Sequence, residues 1–248
     1  MHVYDNQFYE TADRTAARSA DRLIPHVIAE LPVRSILDVG CGRGVWLARW
    51  RHHGATELLG IDGPYVDPER LAIPASSFRA MDLAKPLSLE RSFDLVQSLE
   101  VAEHVSEASA EVFVENLARH GTLVLFSAAI PGQGGEHHVN EQPWEYWRRK
   151  FAARGYEVFD FLRPRMLHDR DIHPCYRFNC FIYAHRERVS SLPEAIRAAH
   201  IPAGNALRDD MPALLKLRYS LFRHLPQPTI DLVARLKYRV YYGMKGRR

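Results

Sequence analysis

Apolar runs of strand length fall along this chain at 34–39, 57–61, 78–81, 92–98, 122–129, 156–161 and 177–184. Ser92–Ser98 alternates, whereas Thr122–Ala129 is almost continuously apolar, the pattern of a strand covered on both faces. Helical spacing follows several of these runs, at 45–53, 107–119 and 143–154, and Gly155 stops the last. Residues 1–31 carry Ala16, Ala17, Ala20, Leu23, Ile24 and Val27 on one side of a further helix, closed by Leu31-Pro32. This alternation predicts an α/β fold with a doubly wound, mostly parallel sheet of seven strands. The sixth-to-seventh connection shows no helical pattern, which predicts an antiparallel last strand. Such a sheet binds ligands beyond the carboxyl ends of its strands, where the strand order reverses. Residues 38–44, 62, 82, 98–104 and 130–142 all fall there, and the N-terminal helix is expected to cover them as a lid.

Composition adds bounds. At 248 residues, 46% apolar and 25% charged, the chain suits one sizeable α/β core with an appendage. Its apolar runs fall short of the ~20 residues that span a bilayer, and Met1–Glu10 is polar, so a cytoplasmic protein is expected. Cys41, Cys175 and Cys180 are an odd number with no C-x-x-C pair, as for reduced thiols. The net charge of +3 hides an asymmetry: from Pro212 to Arg248 there are nine Lys or Arg against Asp231 alone, a net +8, leaving −5 on the rest. A domain at 1–188, with its lid at 1–31, and a basic helical extension at 189–248 are therefore expected. In that extension Leu232, Val233, Leu236 and Val240 run beside Arg235, Lys237 and Arg239. This pattern suits an anionic membrane surface or an acidic partner, or a helix packed on the body.

The densest chemistry is the turn Leu37-Asp-Val-Gly-Cys-Gly-Arg-Gly44, where an apolar strand runs through three glycines into a helix. Residues without a Cβ let the backbone approach a ligand, and the first amides of the helix face it. A turn built for packing alone would use glycine too. Asp62, some twenty residues on and closing Leu58-Leu-Gly-Ile-Asp62, is placed where a ribose diol needs an acceptor. Phe78-Arg-Ala-Met-Asp-Leu83 ends in another acid. Together these residues resemble the class I S-adenosylmethionine-dependent methyltransferases, which implies a Rossmann-like fold with S-adenosylmethionine as cofactor. The resemblance implies that Asp38, Gly40 and Gly42 form the first motif, that Asp62 holds the ribose, that Asp82 and the Leu83 amide meet the adenine, and that Ser98 also borders the cofactor. Arg14 and Arg18 are candidates for its carboxylate. Nicotinamide enzymes would want G-x-G-x-x-G, and position 45 is Val.

Two constellations stand where an acceptor would. Ser98-Leu-Glu-Val-Ala-Glu-His-Val105 contains E-x-x-E-H. It is similar to the ubiquinone-biosynthesis O-methyltransferases and the small-RNA 3′-terminal 2′-O-methyltransferases, which implies Glu100, Glu103 and His104 as ligands of Mg²⁺ or Mn²⁺, with His138 as the fourth. Many relatives without metal carry a similar E-H with the histidine packed in the pocket wall. The second constellation, His137-His-Val-Asn-Glu-Gln142, follows glycines 132, 134 and 135 and offers imidazoles to deprotonate a hydroxyl. His138, His137 and His104 are the catalytic candidates. Alternatively His137 is solvated and Asn140 caps the next helix. Trp144, Tyr146 and Trp147 either stack a ring substrate or pack in the core.

Residues 3–185 resemble uncharacterised bacterial methyltransferases of natural-product or glycan tailoring. The expectation is an O-methyltransferase of a small-molecule or sugar acceptor. Rivals are an RNA 2′-O-methyltransferase, disfavoured by the acidic body and the lack of a recognised RNA-binding module, and a membrane-apposed binding protein that keeps the cofactor pocket without catalysis. Nucleic acid is not an expected partner.

Overall fold

The computed structural model describes residues 6–226 together with 229, 230 and 233. Strands β1 (Ser35–Val39), β2 (Glu57–Asp62), β3 (Phe78–Ala80), β4 (Leu95–Leu99), β5 (Leu123–Ser127), β6 (Tyr156–Phe159) and β7 (Phe181–His185) form one sheet in the order β3-β2-β1-β4-β5-β7-β6. Pairings from β3 to β5 are parallel, and β7 runs antiparallel to both of its neighbours. The predicted fold class holds, and the order reverses between β1 and β4.

Helices α1 (Asn6–Ile28) and α2 (Val45–His52) cover one face; α3 (Ala110–His120) and α4 (Trp144–Ala152) cover the other. The pleat of β5 shows why both faces need apolar residues: Leu123 and Leu125 pack with Leu23, Ile24 and Trp50, while Val124 and Phe126 pack with Phe113, Trp147 and Phe151. α1 is a core helix over much of its length, since Ala20, Leu23, Ile24 and Val27 are buried in the first of these clusters. Its earlier described residues, Asp13 and Ala16, reach the ligand end.

Three element boundaries differ from expectation for identifiable reasons. Ser92–Asp94 is not strand, because the Asp94 carboxylate instead accepts the Arg34 and Ser35 amides, each at 2.9 Å. The connection from β6 to β7 holds α5 (Arg163–Met166) and α6 (Pro174–Asn179), the latter at the start of the stretch expected as strand. Pro174 sits in its first turn, where a missing N–H costs nothing, and His173 caps it by accepting the Cys175 amide. After β7, α7 (Arg186–Val189) and α8 (Glu194–Arg197) return the chain to the sheet, with Leu192 and Ile196 buried in the core. Asp160 donates its amide to Ala199 and Ile201 donates to Val158, so the body continues past residue 188. The last complete element among the described residues is α9 (Ala213–Phe222); of the basic stripe expected beyond it, all but Val233 lies outside the described residues.

Candidate active site

A cavity of about 1420 Å³ opens beyond the carboxyl ends of β1 to β5. On one side it is walled by the glycine turn. Gly40 has φ +89°, and a Cβ there would lie 2.4 Å from the Val101 methyls, so glycine is required on both counts. The turn is tied to β2 through its acid: Gly42 donates its amide to Asp62 Oδ2 at 2.6 Å, Gly63 donates to Oδ1 at 2.7 Å, and the Tyr65 hydroxyl also donates to Oδ1. Burial holds the Asp62 carboxyl above the usual range, and these donors oppose that shift. α2 starts without a side-chain cap, leaving its first amides for a ligand or water.

Five of the seven expected cofactor residues, Gly40, Gly42, Asp62, Asp82 and Leu83, line the cavity. Asp38 and Ser98 lie beneath it. Ser98 is fully buried and its hydroxyl donates to the Val39 carbonyl at 2.8 Å, which clasps β4 to β1. Asp38 is 3% exposed; burial first, with the charge of Asp62 adding to it and the nearby Gln97 side chain opposing it, pushes its carboxyl up to about 7. Arg18 faces solvent in an ion pair with Asp171. On the glycine-turn side the cavity wall carries Arg43 instead, 2.9 Å from Asp13.

The opposite wall is assembled from distant segments. The Glu103 carbonyl accepts the Val139 and Asn140 amides at 2.9 and 3.0 Å, which stitches the 131–142 loop to the end of β4. Glu141 holds the same loop from within, accepting Gly132 and Gly134 amides at 2.8 Å each, and it also meets His138 Nδ1 at 2.7 Å. His138 Nε2 lies 4.0 Å from Glu103 Oε1, and the His104 and His138 rings meet edge to face with centroids 4.9 Å apart. His104 Nδ1 faces the His137 carbonyl at 3.2 Å. Burial, and then the neighbouring His138, lower the His104 pKa to about 4, although the ring remains open to the cavity. His137 itself sits at φ +59° and also lines the cavity.

Glu103, His104 and His138 offer donor atoms within 4.8 Å of one another, a spacing that suits a metal ion. Glu103 Oε2 is buried with no hydrogen-bond partner. Glu100, expected as a ligand beside them, is not in this group. Its backbone has φ +58°, its amide donates to the Ser127 carbonyl, and its carboxyl is taken by Gln133 Nε2 at 2.5 Å. Burial and the nearby Glu103 raise the Glu100 pKa well above the ordinary range. Gln133 accepts in turn from Asn179, and Asn179 from the Trp144 indole, so a polar chain ties β4, the loop, α6 and α4 together.

Trp144, Tyr146 and Trp147 do not line the cavity; Trp147 is 1% exposed and packs on Phe126. Asn140 is not a helix cap, since Pro143 holds that position; Asn140 Oδ1 accepts from Gln142 Nε2 instead. Residues to which sequence reasoning gave no role also reach the cavity: Gln133, within the loop placed at the ligand end, and Tyr65, Cys175, Tyr176, Arg218 and Phe222. A glutamine between two glycines was a signal for Gln133; α9 carried none, because nothing local says where a helix at the end of a chain will fold back.

Residues 9–169, more than half of the chain, match a family described as a methyltransferase domain. The ubiquinone biosynthesis O-methyltransferase of Pseudomonas syringae pv. tomato is 30% identical over 151 residues, 57% of this chain and 58% of that one. The tRNA U34 carboxymethyltransferase of Saccharophagus degradans is 31% identical over 144 residues, 49% of this chain and 40% of that one. The chain thus spans roughly two to three fifths of the length of these curated relatives. Among solved structures, the sugar N-methyltransferase KedS8 from a Streptoalloteichus species superposes with a TM-score of 0.55 at 19% identity, over 75% of this chain and 97% of that one. The family match, the sheet order with its antiparallel strand, and a glycine turn closed on a buried acid agree with one another, and by them this chain belongs to the class I S-adenosylmethionine-dependent methyltransferases.

Proposed function

We propose that the methyl group goes to a hydroxyl of a small molecule or sugar intermediate and that His138 takes the proton. The observation that carries this reading is the His138–Glu141 pair at 2.7 Å, held on the glycine-rich loop across the cavity from Asp62. A carboxylate at Nδ1 fixes the tautomer and leaves Nε2 as the basic atom. The acceptor oxygen attacks the methyl carbon as His138 Nε2 takes the hydroxyl proton. The sulfur–carbon bond breaks, its electron pair stays on sulfur, and S-adenosylhomocysteine leaves. A neutral amine would attack without such help, so an oriented base supports oxygen. The donor is already activated as a sulfonium, so positioning supplies much of the rate. The names of the ubiquinone O-methyltransferase and the sugar N-methyltransferase support a small or glycosidic acceptor. The tRNA relative keeps RNA in view, but a net −5 before residue 212 is a poor surface for a polyanion.

A second reading has a specific observation behind it. Each imidazole of the Glu103–His104–His138 group has one ring nitrogen at a carbonyl or carboxylate, which leaves the other for a cation, the arrangement common among metal-ligating histidines. Glu103, with its unpartnered Oε2, would be the charged ligand. Mg²⁺ or Mn²⁺ there would polarise an acceptor oxygen and lower its pKa.

Transfer from labelled S-adenosylmethionine to a panel of hydroxylated and amino acceptors tests both, with the methylated atom located by NMR. The base reading expects O-methyl product that survives exhaustive chelation and is lost in His138→Ala. The cation reading expects activity lost on chelation and restored by Mg²⁺ or Mn²⁺. Methylation at nitrogen alone overturns both.

A further inference from the structure

We propose that α9 docks the enzyme on an anionic phospholipid bilayer. The helix is fixed in place by its inner face. Tyr219, 7% exposed, and Leu215 pack with Met211, Ile130 and Phe178, and Arg218 donates to the Gln133 carbonyl at 3.1 Å. The approach is close: Gly132 has φ +85°, and a Cβ there would lie 1.9 Å from the Tyr219 carbonyl oxygen. So seated, α9 turns Leu214, Leu217 and Leu221 outward at 80%, 57% and 62% exposure, with Leu225 just past its end at 39%. Spacings of three and four residues put Leu214, Leu217 and Leu221 in one stripe along the helix, with Leu225 following it, and four exposed leucines call for an occupant.

Charge and chemistry identify it. The segment from Pro212 to Arg248 carries +8 and the remainder −5, so an anionic surface attracts this end of the molecule and repels the rest. Arg223, just past the end of the helix, is exposed, and Lys216 is half-buried and paired with Asp209 at 3.0 Å. A second copy of the chain would bring two such basic segments face to face. A protein partner would more often meet aromatic or hydrogen-bonding anchors, and this stripe is aliphatic throughout. An aliphatic stripe in a segment of net +8 is what an anionic headgroup boundary accepts. Arg218 and Phe222, which neighbour the stripe on the helix, line the cavity, so the docked surface borders its mouth.

Flotation of the full chain with vesicles of phosphatidylcholine alone, or mixed with phosphatidylglycerol, tests the proposal. Binding to the mixed vesicles is expected to be at least about tenfold tighter at low salt, and to weaken without vanishing at about 0.15 M. Leu214→Ser, Leu217→Ser and Leu221→Ser together should reduce it by about tenfold or more while S-adenosylhomocysteine affinity stays unchanged, which shows the chain folded. Leu217→Glu alone should act in the same direction. Equal binding to both vesicle types overturns the proposal, as does full binding by the leucine variants. A wild-type dimer in sedimentation that the triple variant dissolves also overturns it, because the stripe would then be a self-interface. Full burial of the leucines by residues 231–248 in the free protein, read by hydroxyl-radical footprinting, does the same.

Discussion

The two walls of the cavity are built by opposite means. The glycine-turn wall is local: one strand, one turn and one helix within 37–52, closed by Asp62 at the end of the neighbouring strand. The other wall draws on the end of β4, the 131–142 loop, α6 and α9, segments that together span more than a hundred residues, and it is held by hydrogen bonds between them. A local wall tolerates little change in sequence, because each residue serves backbone geometry. An assembled wall can change its acceptor by exchanging one segment while the others stay. The division also separates the roles expected of each side, donor binding and proton transfer, and substitutions can test whether they separate in fact.

The largest effect is expected at His138. Removing a positioned base costs roughly a hundredfold to ten-thousandfold in rate. His138→Ala should therefore lower kcat by about that much, while S-adenosylhomocysteine affinity, measured by calorimetry, moves less than about twofold. Equal losses in kcat and cofactor affinity would mean that the two walls do not work separately.

Next in size is a stability effect stored under the glycine turn. The Asp38 carboxyl, pushed up to about 7 in the folded chain, is an ordinary aspartate in the unfolded one. Between pH about 4 and about 7 the folded state therefore keeps a proton that the unfolded state has released. Stability contributed by this group falls as pH rises through that window, by up to about 4 kcal/mol at its top. Asp38→Asn should gain on the wild type in denaturant melts as pH rises from 4 to 7, the other buried carboxyls cancelling in the difference. A constant difference across this range would show that Asp38 ionises normally.

The same contrast explains how much was legible. The turn could be read because D-V-G-C-G-x-G is constrained by backbone conformation, and Asp62 because strand spacing places it beside that turn. His104, His137 and His138 were legible as residue types, and three of the four proposed ligands do converge. The diversion of Glu100 was not: it depends on Gln133 reaching back across 33 residues and on Asn179 holding Gln133. Ser98 misled because a hydroxyl next to a pocket motif looks like a ligand contact, while its actual partner is the Val39 carbonyl inside the sheet. α9 was read for its charge, and its buried face on the loop comes from tertiary packing that periodicity does not encode.

A third substitution probes the glycine-turn wall directly. Asp62→Ala removes a charge-assisted acceptor from the position proposed for the ribose and the clasp on the Gly42 amide. A loss of roughly 1.5–3 kcal/mol, about 10- to 100-fold in cofactor affinity, is expected in a titration, with the chain still folded by circular dichroism. Unchanged affinity would remove Asp62 from the donor site.

The smallest effect concerns Tyr65, whose sign is the informative part. Its hydroxyl donates to Asp62 Oδ1, and its ring lies over Gly63, where a Cβ would be 2.2 Å from the ring. Asp62 already accepts from the Gly42 and Gly63 amides, so a ribose diol bound there, as proposed, would compete with the phenol for what remains of the carboxylate. Tyr65→Phe keeps the ring and deletes the competitor. With a net hydrogen bond worth about 0.5–1.5 kcal/mol, cofactor affinity should rise by roughly two- to tenfold. The tyrosine is 46% exposed, so the substitution should not unsettle the core. A fall in affinity would instead mean that the hydroxyl moves onto the bound cofactor, and the turn wall would then include a residue that rearranges on binding.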